Sequence, residues 1–200
     1  AFMDTCGRDL DRSDKLASLN ISTYIAGAAG ILFLVDPLQV PAIRRGLGLP
    51  EADDLPSPAE RLGYIAEIIR DKTKLKARAG IDIPLAVVLT KSDLLTKAVQ
   101  GGVDEDVTFG PESSLHIARE YGSPDMENLA LVGSEVQEYL RRMLGEEFMD
   151  SVGNFNRHEF FAVSALGGET SEGSLTKGIS PSRVEDPLIW FFNEDRRKRL

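Results

Sequence analysis

Three short apolar runs punctuate the chain, and a polar turn closes each one. Ile31–Val35 reads ILFLV and stops at Asp36-Pro37. Residues 83–89 read IPLAVVL and stop at Thr90-Lys91. Residues 160–163 read FFAV and stop at Ser164-Ala165. Unbroken apolar runs of this length suit strands of a parallel sheet that are buried on both faces.

Helical spacing fills the intervals. Leu16, Leu19, Tyr24 and Ile25 predict a helix over 9–28 that ends near Gly27 or Gly30, and a short helix is expected around 42–46. Ser57-Pro58-Ala59-Glu60 combines a capping serine, a proline suited to the first helical position and a glutamate that completes a capping box. Leu62, Ile65, Ile68, Ile69 and Leu75 follow, with Gly80 as the expected stop. Strand, helix, strand at this spacing reads as a βαβ unit. Residues 128–144 predict a further helix with Leu131, Val136, Tyr139, Leu140 and Met143 on one side. Asp186-Pro187 opens a last helix through Trp190 and Phe191, and the basic run at 196–199 suits the negative end of its dipole. Residues 101–124 read as a surface excursion and 167–182, rich in Gly, Ser and Thr, as a flexible loop.

Two hundred residues suit one domain, and an apolar fraction of 42% is enough to bury a core. The net charge of −9 argues against nucleic acid or an anionic membrane as partner of the whole chain. A single cysteine, Cys6, rules out an internal disulfide and fits a reducing, cytoplasmic setting. The apolar stretches 26–35 and 83–89 fall well short of the roughly 20 residues that span a bilayer. His116 and His158 lack neighbouring ligand types, so no zinc site is expected.

The turns after the strands carry the candidate chemistry. Asp4-Thr5-Cys6-Gly7 is a D-x-x-G after Phe2-Met3, Thr90-Lys91-Ser92-Asp93 departs by one residue from N-K-x-D, and Ser164-Ala165-Leu166 matches S-A-[KL]. In this order, each at the end of an apolar run, they resemble the third, fourth and fifth motifs of P-loop GTPases. Asp4-Thr5-Cys6-Gly7-Arg8-Asp9-Leu10, Asp36-Pro37 and Glu185-Asp186-Pro187-Leu188 are similar to bacterial TRAFAC-clade domains of the double-GTPase type. The resemblance covers most of the chain and implies an α/β fold, a doubly wound and mostly parallel sheet with flanking helices, Ras-like and N-terminally incomplete.

The same resemblance implies the site. Asp4 would orient a magnesium ion through water, and Gly7 would offer its backbone N–H to the terminal phosphate of GTP. Arg8 stands either as a stabiliser of the transferring phosphoryl group or as a solvated side chain. Asp93 would accept two hydrogen bonds from guanine, and the stem of Lys91 would lie along base and ribose. Thr90 takes the place of an asparagine whose amide ties neighbouring loops. A backbone N–H in the Ser164, Ala165, Leu166 loop, that of Ala165, would read the base carbonyl. Taken without the resemblance, 90–93 also reads as a threonine-capped turn opening a helix at 92–95.

No G-x-x-x-x-G-K-[ST] occurs in the 200 residues; 168–174 has the glycine spacing without the lysine. Residue 1 is Ala, and the run before Asp4 is short, which reads as a fragment of a longer protein. Two functions follow. One is a GTP-binding switch that hydrolyses GTP in the complete protein, with guanine nucleotide, magnesium and protein partners. The other is a pseudo-GTPase interaction scaffold using 101–124 and 167–182. In a Ras-like sheet the strand before the phosphate loop lies between those carrying Asp4 and Ile31–Val35, so the chain alone is expected to bind GTP weakly or not at all.

Overall fold

The computed structural model describes residues 22–50, 57–100, 109–117, 125–167, 170–171, 174–175 and 179–198. The sheet has three parallel strands in the order β1 (Ile31–Val35), β2 (Leu85–Leu89), β3 (His158–Ala162). Val35 lies opposite Leu89, and Leu89 opposite Ala162, so the three carboxyl ends are level. Between β1 and β2 run α1 (Pro41–Gly46) and α2 (Pro58–Thr73). Between β2 and β3 run α3 (Ser92–Gln100) and α4 (Met126–Val152), and α5 (Asp186–Lys198) follows β3. The fold is α/β, a small parallel sheet with flanking helices. No helix among the described residues is long and apolar enough to cross a membrane.

Alternation along the strands sorts the core into two layers. Phe33, Val35, Leu85, Val87, Leu89, Phe160 and Ala162 face one way and pack with α2 and α4. On α2 the buried stripe is Ala59, Leu62, Ile65, Ala66 and Ile69, a helical repeat. Each large side chain so buried contributes about 1.5–3 kcal/mol. Ala86, Val88 and Phe161 face the other way, against Trp190 and Phe191 of α5. Phe191 sits so close to Gly30 that a Cβ there would lie 2.5 Å from its ring, so only glycine fits before β1.

Several expectations shift by a few residues for local reasons. Of the helix expected over 9–28, residues 22–28 are described, and 22–26 are helical. α2 stops at Thr73 rather than Gly80, because Lys74 adopts a left-handed conformation (φ 54°) and its N–H bonds Arg70 O; Leu75 is therefore outside the helix and exposed. β2 begins at Leu85, after Pro84, whose missing N–H suits a strand start. β3 begins at His158, ahead of its apolar run, and ends at Ala162. α4 bends at Gly145 (φ 78°, ψ 178°) and resumes to bury Phe148 and Val152. Leu131 is exposed; Val132 fills the stripe with Val136 and Leu140 at four-residue spacing. β1 is buried on one face only: Leu32 and Leu34 on the other are 39% and 63% exposed. Within 101–124, residues 109–117 dock inward: Phe109 is buried edge-on to Tyr139 at 4.9 Å between ring centres. Within 167–182 a two-residue pair forms between β4 (Thr170–Ser171) and β5 (Ser174–Leu175).

The outer edge of β3 is finished by its own side chain. Val163 N–H bonds Leu89 O, so alternation turns Phe160 N–H away from β2. Glu159 Oε1 accepts that N–H at 3.0 Å. Gly133 of α4 passes over the same point, where a Cβ would lie 2.5 Å from Glu159 Oε1 and 3.1 Å from Phe160 O. Burial pushes the Glu159 carboxyl above its ordinary 4.5, and nearby Glu194 adds to this against the lowering by the Phe160 N–H and His158.

The folded state thus holds the Glu159 proton more tightly than the unfolded state. Stability from this residue falls as pH rises from 4.5 through the raised value. Glu159→Gln keeps an oxygen for Phe160 N–H and removes the charge. Thermal melts of the variant should show a higher Tm than the wild type at pH 7, with the difference closing as pH falls below 4.5. A second expectation concerns residues 109–117: Phe109→Ala should cost about 3–5 kcal/mol in urea unfolding, the range for emptying an aromatic core site.

Candidate functional site

Level carboxyl ends in a parallel sheet bring the following turns together, and such an end is where α/β sheets bind ligands. Thr90 leaves β2 and bonds sideways. Its N–H and its Oγ1 both donate to Val35 O of β1, at 3.0 and 3.2 Å. Two residues on, Ser92 is buried and its N–H donates to Val163 O beyond β3, at 3.1 Å. The turn between is stitched to both neighbouring strands. Lys91 meets that requirement by taking a left-handed conformation, φ 54°, a conformation costly for a residue with a Cβ.

Lys91 Nζ pairs with Asp36 Oδ2 at 2.7 Å, and Asp36 Oδ1 accepts Leu38 N–H at 3.0 Å. The lysine is 44% exposed, so this pair is worth about 0–1 kcal/mol and can be exchanged cheaply for another partner.

Asp93 lies in the first turn of α3 and is half-buried. Its Oδ1 accepts from Ser164 Oγ at 2.6 Å, and Ser164 Oγ accepts from Gly167 N–H at 3.0 Å. Ser164 is 2% exposed, and its backbone pairs with Ser182 in both directions, at 3.0 and 2.8 Å. Ser180 N–H donates to Leu166 O. Between these anchors Ala165 and Leu166 stand exposed. Gly167 closes the loop at φ 59°, where a Cβ would lie 1.8 Å from Ser180 O, so glycine is required twice over.

The structure therefore brings Thr90, Lys91, Asp93, Ser164, Ala165 and Leu166 to one end of the sheet. Asp4, Gly7 and Arg8 lie outside the described residues. Among the described residues no three His, Cys, Asp or Glu side chains converge where they could hold a metal ion; the magnesium expectation rests on Asp4. Two participants escaped the sequence reading. Asp36 stands in plain view after its apolar run, but nothing local marks it as the partner of Lys91. Arg183 has no sequence signal at all: it is 5% exposed, has φ 58°, and follows directly on Ser182.

The groups assembled among the described residues are a carboxylate bonded by a hydroxyl, an exchangeable ammonium and an exposed loop backbone. Comparison of the chain with protein-family models, with curated proteins and with solved structures gives no match.

Ser164→Ala would remove the side-chain acceptor of Gly167 N–H and the hydroxyl that Ser164 donates to Asp93. The expected cost is about 1–3 kcal/mol by urea unfolding. Amide exchange at Gly167 should quicken more than at Val87 or Val88 in the same variant.

Proposed function

We propose that the chain carries the base-recognition part of a P-loop GTPase domain, doubly wound and Ras-like, that binds GTP with magnesium and hydrolyses it in the complete protein. The observation that carries this reading is the Asp93 carboxylate, held by Ser164 at the carboxyl end of the central strand. A carboxylate so oriented can accept from guanine N1–H and N2–H₂ together, whereas adenine offers no such pair of donors. A site built for both donors rejects a base that leaves it unpaired.

Three further features support it. β1, β2 and β3 run parallel with the turns at 36–37, 90–93 and 164–167 at one end. Thr90 ties its loop to β1 through its hydroxyl, the role the resemblance gives to an asparagine amide. Lys91 is exposed and weakly paired, free to lay its stem along a base. In this reading Asp4 orients the metal, and Gly7 and Arg8 face the terminal phosphate. The scaffold alternative draws on the absence of G-x-x-x-x-G-K-[ST] from the 200 residues.

Asp93→Asn keeps the shape and removes the paired acceptor. Ligand-observed saturation-transfer NMR, which reads weak binding, should show GDP preferred over ADP by the wild-type chain. The substitution should weaken GDP by about 10- to 100-fold, the worth of charge-assisted hydrogen bonds, with Tm little changed. An undiminished preference for guanine in Asp93→Asn would sink the assignment. Absence of any nucleotide effect in the wild type would favour the scaffold.

A further inference from the structure

Arg183 follows Ser182, the backbone partner of Ser164, and ties that point to the 114–115 segment. Its guanidinium is buried and spreads over several partners. Nη1 pairs with Asp186 Oδ2 at 3.1 Å, at the start of α5. Nη2 donates to Asn128 Oδ1 at 2.5 Å and to Ser114 O at 3.2 Å, and Nε donates to Leu115 O at 3.3 Å. Asn128 Nδ2 also donates to Ser114 O, at 3.0 Å. The 109–117 segment is fixed to α4 by a second route, since Glu135 accepts from Ser113 Oγ and from Ser114 N–H.

A buried arginine with a carboxylate partner and carbonyl acceptors is held stiffly, because every alternative position strands a charge. That stiffness passes to its neighbour. Arg183 has a left-handed backbone, which sets the direction of the chain entering from Ser182. Ser182 pairs with Ser164 through two backbone hydrogen bonds, and Ser164 Oγ holds Asp93. Asp93 lies in the first turn of α3. The links therefore run in series: the 114–115 carbonyls, Arg183, Ser182, Ser164 and Asp93.

We infer that Arg183 is a positioning residue for guanine recognition, which orients the Asp93 carboxylate through Ser182 and Ser164 and makes the docking of 109–117 a determinant of base affinity. The inference rests on the guanine-binding reading above. The long connection between α3 and α4 thereby acquires a role, since it supplies two of the carbonyls that lock the arginine. A partner that lifted 109–117 from α4 would loosen the base site without touching it.

The test compares GDP with inosine diphosphate, which keeps N1–H and lacks the N2 amino group. The wild-type chain should prefer GDP by about tenfold, the worth of one hydrogen bond to a charged group. Arg183→Ala and Arg183→Lys should bring that ratio close to one. Lysine keeps the charge beside Asp186, and so the fold, but lacks the planar fork that reaches Asn128, Ser114 and Leu115. A merely structural role would weaken both nucleotides alike. A GDP preference unchanged in folded Arg183→Lys overturns the inference and leaves the guanine reading intact. No preference in the wild type overturns the guanine reading; the link is then judged by amide exchange in Arg183→Lys. Faster exchange at Gly167 and Ser182, with Val87 protected, sustains it, and unchanged exchange overturns it. Should both variants fail to fold, the wild type decides: GDP must slow exchange at Ser182 as well as at Gly167, and protection confined to Gly167 overturns the link.

Discussion

β2 is enclosed on every side. All five of its residues are buried, it is paired on both edges, and helices cover both its faces. Backbone N–H and C=O groups in that position have no access to water, so the ladders to β1 and β3 are obligatory rather than optional. The register of those ladders fixes where each neighbouring strand ends. Because all three end level, Thr90 meets Val35 and Ser92 meets Val163, and the turn at 90–93 inherits its shape from the sheet. The left-handed Lys91 is the local cost of spanning both neighbours within three residues.

The parts of the fold that buried surface dictates were legible in the sequence. Ile31–Val35 has the expected bounds, and the Ser57 cap accepts Glu60 N–H as expected, because both follow from short-range chemistry. Edges were less legible. His158 and Glu159 belong to β3 although they are polar, since one bonds Phe155 O and the other covers its own strand edge. Leu32 and Leu34 are apolar yet exposed, because alternation fixes which way they face but not what lies there. At the site, the order of turns after apolar runs foretold that Thr90, Lys91, Asp93 and Ser164 would meet. Arg183 could not be foreseen. Its partners sit at 114, 115, 128 and 186, and no local pattern marks an arginine for burial.

The two halves of the candidate site are held by different means. Lys91 and Asp36 form an exposed ion pair that water and salt weaken. Asp93 and Ser164 are tied through a buried hydroxyl whose own backbone is paired. The site thus joins a rigid acceptor to a movable cation, a division that suits a ligand with a planar polar edge and a longer flexible remainder.

The treatment of the two outermost strands has a further consequence. At β3, Glu159 occupies the outward N–H of Phe160 and α4 presses Gly133 against the same place, so an incoming strand would meet a carboxylate and a helix. β1, paired only with β2 among the described residues, carries no such plug. Enlargement of this sheet is therefore opposed past β3 at Phe160, and no described residue opposes it past β1. Any polypeptide added there would lengthen the row of strand ends on the Asp36 side, enlarging the rim of the candidate site while leaving the Ser164 loop at its terminus.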